Sequence, residues 1–495
     1  MPRGPGILAY PGGVSRVRLP SAPGQQPPGR RQWRRDGRRH SSRWSNVTAE
    51  GRAVLRAAQQ RLARIAAHEP TLSVVPEPDE ETAYRLLTSA LRAGAVLLGA
   101  GAATLDVEQT VLTFAHALGL VGCEVDVTFT SLTGSYRRPG SQKPITTLVV
   151  VRNRTLNFAK LAAMTALRVE VLAHRLSALD VEQRLEAIER LAVRRGRFVV
   201  VGWAGMAAAF TVLLGGQLLA GAIGFVATAV VYLLNRGLAR RGVPDFFLSA
   251  LGAAIATSAA LGATSLHLPV EPALVVAGGI MALVPGVKLV SSVQDALTGF
   301  PLSGTARGVE VLLIATGIVT GVSVVLYVGN LLGAHVGIGP IPLSSLLYLP
   351  VQIVAAGIAA ALYAIATSVP KPFLLHAALT GALSWAIALV LVRGGVSLVI
   401  ASAIAAVAVG ALAQLLASWH TTHPFLFVVP GIMPLVPGLT VFEGMLALVE
   451  GRPGAAGLLL QALAIGLAIA AGVTLGYLVL RAPANRPNRL PTGLR

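Results

Sequence analysis

Gly279-Ile280-Met281-Ala282-Leu283-Val284-Pro285-Gly286 recurs 152 residues later as Gly431-Ile432-Met433-Pro434-Leu435-Val436-Pro437-Gly438. The same offset carries Pro272 onto Pro424. Both copies lie inside long apolar segments. A proline there removes a helix hydrogen bond and clashes with the preceding turn, and the adjacent glycine permits unwinding. Backbone groups freed in lipid must be satisfied by protein or by a water-filled cavity. One Val-Pro-Gly reads as a plain kink; two at equivalent positions predict a matched pair of helix breaks.

Ten apolar segments surround and include these motifs: 198–214, 216–235, 246–266, 272–292, 309–330, 345–366, 373–392, 396–416, 425–449 and 455–480. Each is near the roughly 20 residues needed to cross a hydrocarbon core of about 30 Å. The offset lays 198–214, 246–266 and 309–330 almost onto 345–366, 396–416 and 455–480. Each copy holds five segments, and an odd number predicts halves of opposite orientation. Inverted repeats of this kind build many secondary transporters, with substrate sites at broken helices near the midplane. The expectation is a mainly α-helical polytopic protein of the cell (inner) membrane, with a first five-helix repeat over 198–340 and a second over 341–480. Composition agrees. Of 495 residues 54% are hydrophobic and 13% charged, against about a quarter charged in a soluble domain. The 53 glycines suit membrane helices packed through small residues.

Basic residues in the loops set the orientation. Arg194, Arg195 and Arg197 precede the first segment, and Arg236, Arg240 and Arg241 follow the second. Arg307 follows the fourth, Lys371 the sixth, and Arg481, Arg486 and Arg489 the tenth, whereas the opposite side carries Arg393 and Arg452. Both termini are expected in the cytoplasm, the last as a basic tail over 481–495.

Residues 1–46 hold ten arginines against one acid, Asp36, among prolines and glycines without an apolar period. They read as a disordered arm that either lies on anionic lipid or reflects an over-long predicted start codon, with nucleic acid the weaker reading, and they contain no apolar core of a signal peptide. Residues 47–197 read as a small cytoplasmic α+β domain. It has a helix over 79–102, a second over 105–118 capped by Thr104, a hairpin of two strands, 123–129 and 147–151, turning at Pro139-Gly140, and a charged helix over 158–193. Cys123 is the single cysteine, which excludes an intrachain disulfide.

Ionisable groups in or beside apolar spans are functional candidates by default. The proposed substrate positions are Pro285, Gly286, Lys288, Pro437, Gly438 and Thr440; those for coupling or gating are Asp295, Arg307 and Glu443. Lys288 stands about one turn past Pro285, where its ammonium either pairs with a substrate carboxylate or snorkels to the surface. Asp295 pairs with Arg307, gating the mouth or closing a loop. Glu443 is either a proton carrier or an outward-facing end residue. Ser291, Ser292 and Thr440 offer hydroxyls to substrate or to neighbouring helices. His376, His420 and His423 lie near helix ends at the cytoplasmic side, where histidine is a candidate proton carrier as a residue type but interfacial anchoring is the commoner role.

Leu283-Val284-Pro285-Gly286 followed by Asp295, Gly299, Gly304 and Arg307 resembles the signature of the threonine/serine exporter family. Gly101-Ala102-Ala103-Thr104 with Val107-Glu108 is similar to that family's N-terminal motif, differing at Ala103, where the family usually carries an acid. The resemblance covers roughly residues 80–480. It implies export of L-threonine and L-serine driven by the proton-motive force; related split systems imply a dicarboxylate such as succinate instead. The partners so implied are substrate, protons and lipid, with a homo-oligomer left open and no cofactor.

Other classes fare worse. His116, Asp106 and Ser131 are present, but without a Gly-x-Ser-x-Gly elbow, a His-Glu-x-x-His motif or a Walker A loop. A hydrolase, and any other enzyme, is therefore disfavoured. A channel remains the rival, and the pairing of breaks with charges favours a carrier. The orientation is testable: a reporter fused after Arg241 is expected in the cytoplasm and one after Gly394 outside. Both on one side would refute the five-plus-five arrangement.

Overall fold

The computed structural model describes residues 78–152, 154–173, 176–191, 196–333, 349–449 and 451–480. The basic arm over 1–46, the start of the N-terminal domain and the tail over 481–495 lie outside the described residues.

The N-terminal domain opens with α1 (Glu80–Gly99), whose first-turn acids Glu80 and Glu81 suit the positive end of the helix dipole. Next come α2 (Thr104–Ala117) and three strands, β1 (Glu124–Val127), β2 (Ser131–Tyr136) and β3 (Ile145–Val150). The sheet is antiparallel in the order β1-β2-β3, with Val125 opposite Gly134 and Gly134 opposite Thr147. A single hairpin at Pro139-Gly140 was thus too few. A second, tighter turn lies at Thr128 to Ser131, where the Thr128 hydroxyl accepts from the Ser131 amide at 3.1 Å. The charged helix over 158–193 is in fact two, α3 (Phe158–Leu172) and α4 (Ala178–Glu189). Ser177 starts the second through a reciprocal capping box with Asp180. Leu87, Leu91, Leu98, Phe114, Leu132, Phe158 and Leu161 are buried where these helices cover the sheet.

The apolar part continues with α5 (Gly196–Leu213), α6 (Leu218–Ala239), α7 (Asp245–Ser265), α8 (Pro272–Met281), α9 (Gly286–Leu297) and α10 (Pro301–Leu331). After the undescribed residues come α11 (Leu349–Ala366), α12 (Leu374–Arg393), α13 (Leu398–His420), α14 (Phe425–Ile432), α15 (Gly438–Val449) and α16 (Ala455–Leu480). Among the described residues eight helices are long and apolar enough to cross a membrane, or nine if α8 and α9, bent by 54°, form one span. Two of the ten expected segments, 272–292 and 425–449, are therefore not continuous helices. Shifted by 152 residues, α9 begins and ends where α15 does.

Corresponding helices have corresponding neighbours. α7 packs on α10 as α13 packs on α16, and α9 on α10 as α15 on α16. The two halves meet along α5 and α11, helices at equivalent places in the repeat. There Gly202 lies so close that a Cβ on it would stand 2.7 Å from the Ala366 nitrogen. Trp203 meets Tyr363 edge-on nearby, with ring centroids 5.4 Å apart. The N-terminal domain is joined to the second half by a backbone bond, Phe158 N–H to the Thr367 carbonyl at 3.0 Å.

Small residues decide this packing, as expected where lipid is as apolar as leucine. A Cβ on Gly321 would lie 2.0 Å from the Ala250 carbonyl oxygen, and one on Gly476 2.2 Å from that of Val407. Gly262, also on α7, faces open space. Gly321→Leu and Gly476→Leu are expected to cost more than the roughly 1–3 kcal/mol of ordinary overpacking. Thermal unfolding of the purified chain should show a lowered midpoint or no folded protein for both, and little change for Gly262→Leu.

Candidate functional site

Each Val-Pro-Gly is a real break, and the two have one geometry. In the first, Gly286 N–H bonds the Val284 carbonyl at 2.9 Å; in the second, Gly438 N–H bonds that of Val436 at 2.8 Å. These are tight turns closed across a proline, and Pro285, at φ −81° and ψ 52°, lies near the inverse γ-turn. Every residue of α8 and of α14 is buried, which meets the requirement that broken backbone at membrane depth be enclosed by protein or face a cavity.

The breaks also face each other. A Cβ on Gly286 would touch Val436 at 3.4 Å, and one on Gly438 would come within 2.9 Å of the Met281 sulfur. Pro285, Gly286, Pro437 and Gly438 are thus brought to one place. The first turns of α9 and α15 open there, and such turns carry N–H groups without intrahelical partners and the positive end of a helix dipole. Further along α9, Ser291 Oγ and Gln294 Oε1 are buried without a hydrogen-bond partner. Buried polar atoms of that kind call for an explanation. The repeat offset places Glu443, half-buried, where the first half has Ser291, and Thr440 where it has Lys288.

Lys288 has partners that the sequence did not announce. Its Nζ donates to Asp245, the first residue of α7, at 3.0 Å and to Glu310, in the third turn of α10, at 2.7 Å. The signal available was Glu310 itself, an acid at the edge of an apolar span. His423 is not at a free interface: its Nδ1 accepts from Phe425 N–H, and its Nε2 stands 3.6 Å from Asp106 Oδ2. His376 and His420 stack edge-on with centroids 4.9 Å apart.

Asp295 and Arg307 do pair, at 2.9 Å, fully buried or nearly so. They do more than close a loop. Asp295 Oδ1 accepts from the Thr104 amide at 2.8 Å and Oδ2 from the Thr104 hydroxyl at 2.9 Å. Arg307 donates to the Ala102 carbonyl at 3.2 Å. Thr104 is therefore not the cap of α2 but its first residue. The cap position holds Ala103, which has no side chain to offer, and Asp295 supplies from α9 the oxygen that a capping side chain ordinarily gives. The two stretches that resembled the family, one in the N-terminal domain and one among the membrane helices, thus form one contact. In the same N-terminal motif, burial and the neighbouring Asp126 push the Glu108 carboxyl above its usual range.

Among the described residues, eight helices long and apolar enough to cross a membrane, the bent pair α8 and α9 and two facing breaks define a polytopic helical membrane protein. Residues 88–329 match a family model described as "Putative threonine/serine exporter", and residues 352–479 match a second, "Threonine/Serine exporter, ThrE". The "Probable threonine/serine exporter" of Mycobacterium tuberculosis is 32% identical over 84% of this chain and 82% of its own. The "Threonine/serine exporter" of Corynebacterium glutamicum is 31% identical over 83% and 85%. The chain belongs to the threonine/serine exporter family. No solved structure matches it.

Removing one partner of a buried pair leaves the other charge uncompensated, typically at a cost of about 3–5 kcal/mol. Losing a hydrogen bond to a charged group costs about 1.5–3 kcal/mol. Asp295→Ala should therefore lower the stability of the purified chain more than Thr104→Val, and both should lower its melting temperature. An unchanged midpoint for Asp295→Ala would show that the contact does not hold the two regions together.

Proposed function

We propose that the chain is a secondary carrier that exports L-threonine and L-serine from the cytoplasm, the substrate passing between the two facing breaks. The observation that carries this reading is the approach of Gly286 to Val436 and of Gly438 to Met281. An amino acid in low dielectric needs both its charges satisfied, because an unpaired buried charge is very costly. The first turns of α9 and α15 offer amides to the carboxylate, and the carbonyls released at the Pro285 and Pro437 turns accept from the ammonium. Thr440, Ser291 and Gln294 are the side chains for the hydroxyl. Family membership, and the names of the two relatives, support the substrate.

The two halves have opposite orientations in this reading, with the N-terminal domain and both termini in the cytoplasm. Alternating access is the rocking of one half against the other along α5 and α11. Glu443 is the proton carrier. Lys288 exchanges Asp245 and Glu310 for the substrate carboxylate, and the Asp295–Arg307 pair holds the gate while the N-terminal domain is docked.

The test is efflux after loading cells that lack the chain with a threonine-containing dipeptide. Wild-type complementation should restore export and lower intracellular threonine, and collapse of the proton gradient should stop uphill export. Gly286→Val and Gly438→Val, whose nearest neighbours are a side-chain methyl and a flexible thioether, should fold yet lose most export, whereas Gly262→Val should keep it. Folded Gly286→Val and Gly438→Val proteins exporting at the parental rate would move the site elsewhere. Loss of succinate rather than threonine export would change the substrate.

A further inference from the structure

The segment after β3 carries a guanidinium to the surroundings of Lys288. The Val151 amide donates to the Thr130 carbonyl at 2.7 Å, and the Thr155 amide to the Gly99 carbonyl at 2.9 Å. Arg154 lies between these two backbone ties, one to the β1–β2 turn and one to the end of α1. Its guanidinium stacks on Phe129 of that turn, 3.5 Å from the ring centroid, a cation–π contact. One face of the plane is covered in this way, but the edges are not used. Among the described residues no hydrogen bond or ion pair reaches Arg154, although its fork of N–H donors matches a carboxylate.

The charges around it are those of the Lys288 cluster. Burial draws the Arg154 guanidinium below its usual range; Glu310 and Asp245 act against that shift, and Arg307 adds to it. Glu310 and Asp245 are the two acceptors of Lys288, while Arg307 is committed to Asp295 and Ala102. Two acids that share one ammonium therefore stand beside a second cation that is bonded to neither. Were Lys288 to depart alone, both carboxylates would be left uncompensated. Glu310, with its side chain 27% exposed against 55% for Asp245, has less water to turn to and needs a replacement more.

We propose that Arg154 is a positioning residue: it takes the Glu310 carboxylate whenever Lys288 leaves it. Its part in export depends on the reading in which Lys288 turns from its acids to the substrate carboxylate. The guanidinium keeps Phe129 as its platform and brings an edge round to Glu310, where a carboxylate can be held by two parallel bonds. Lys288 and Arg154 then hold Glu310 in turn. The N-terminal domain thus enters the transport step through one side chain. By lowering the cost of freeing Lys288, it raises the fraction of chains ready to bind substrate.

Melting of the purified full chain tests the exchange without any transport. In the parental chain the losses from Arg154→Gln and Glu310→Gln should add, because Lys288 holds the acid. In a Lys288→Met background they should become coupled, the double variant losing less than the sum of the single ones. Additivity in both backgrounds, or coupling of equal size in both, overturns the proposal. Efflux reads the consequence. Arg154→Gln should raise the KM for threonine by about tenfold with the maximal rate nearly kept, and Arg154→Lys, which retains the charge, should recover most of that loss. Coupling in Lys288→Met alongside a parental KM for Arg154→Gln would leave the exchange standing and sink the reading that Lys288 turns to the substrate.

Discussion

A peptide group taken out of water has to find a partner, and in this chain that rule acts most sharply where two helices stop short inside apolar surroundings. Pro285 and Pro437 each interrupt a helix, and each interruption is closed by one tight backbone bond between the glycine after the proline and the valine before it. Such turns are tolerable only because α8 and α14 are buried along their whole length. The close glycine contacts of the longer helices follow from the same need. Helices that enclose a broken neighbour must approach each other closely, and Gly202, Gly321 and Gly476 remove the side chains that would keep them apart.

The second constraint is electrostatic. A carboxylate as deeply buried as Asp295 persists because three donors converge on it: a guanidinium, a backbone amide and a hydroxyl. Two of the three come from an element 191 residues earlier in the chain. The exchange is mutual. The acid gains partners, and a helix whose own cap position is alanine gains an acceptor for its first amide.

The breaks were legible because proline and glycine act locally and the repeat supplied a second copy. So was the resemblance, since its residues form short runs. What escaped is whatever depends on distant segments meeting. Asp295 and Arg307 suggested each other, being neighbours in sequence, but nothing in Gly101-Ala102-Ala103-Thr104 pointed to α9 as the place where that motif docks. Lys288 looked free because Asp245 and Glu310 belong to other helices. β2 was missed because Ser131-Leu132-Thr133-Gly134-Ser135 carries few β-branched residues, and Gly134 packs against Leu87 and Leu91 instead of presenting a side chain. The division of 158–193 was written in Ser177 and Asp180, a capping signal hidden inside a run that otherwise has helical charge spacing.

The N-terminal domain is fastened to both halves. Thr104 is bonded to Asp295 in the first, and the Phe158 amide to the Thr367 carbonyl in the second. A body tied to both halves would work as a brace between them. If the halves rock about α5 and α11, one tie has to be released in each cycle or the domain has to ride with one half. The two ties are unequal. The first is a buried, charged cluster; the second is a neutral backbone bond, with His423 Nε2 standing 3.6 Å from Asp106 elsewhere on the same side. Under that proposed motion the charged cluster at Asp295 is the firmer hold, and the domain would travel with the first half as its handle.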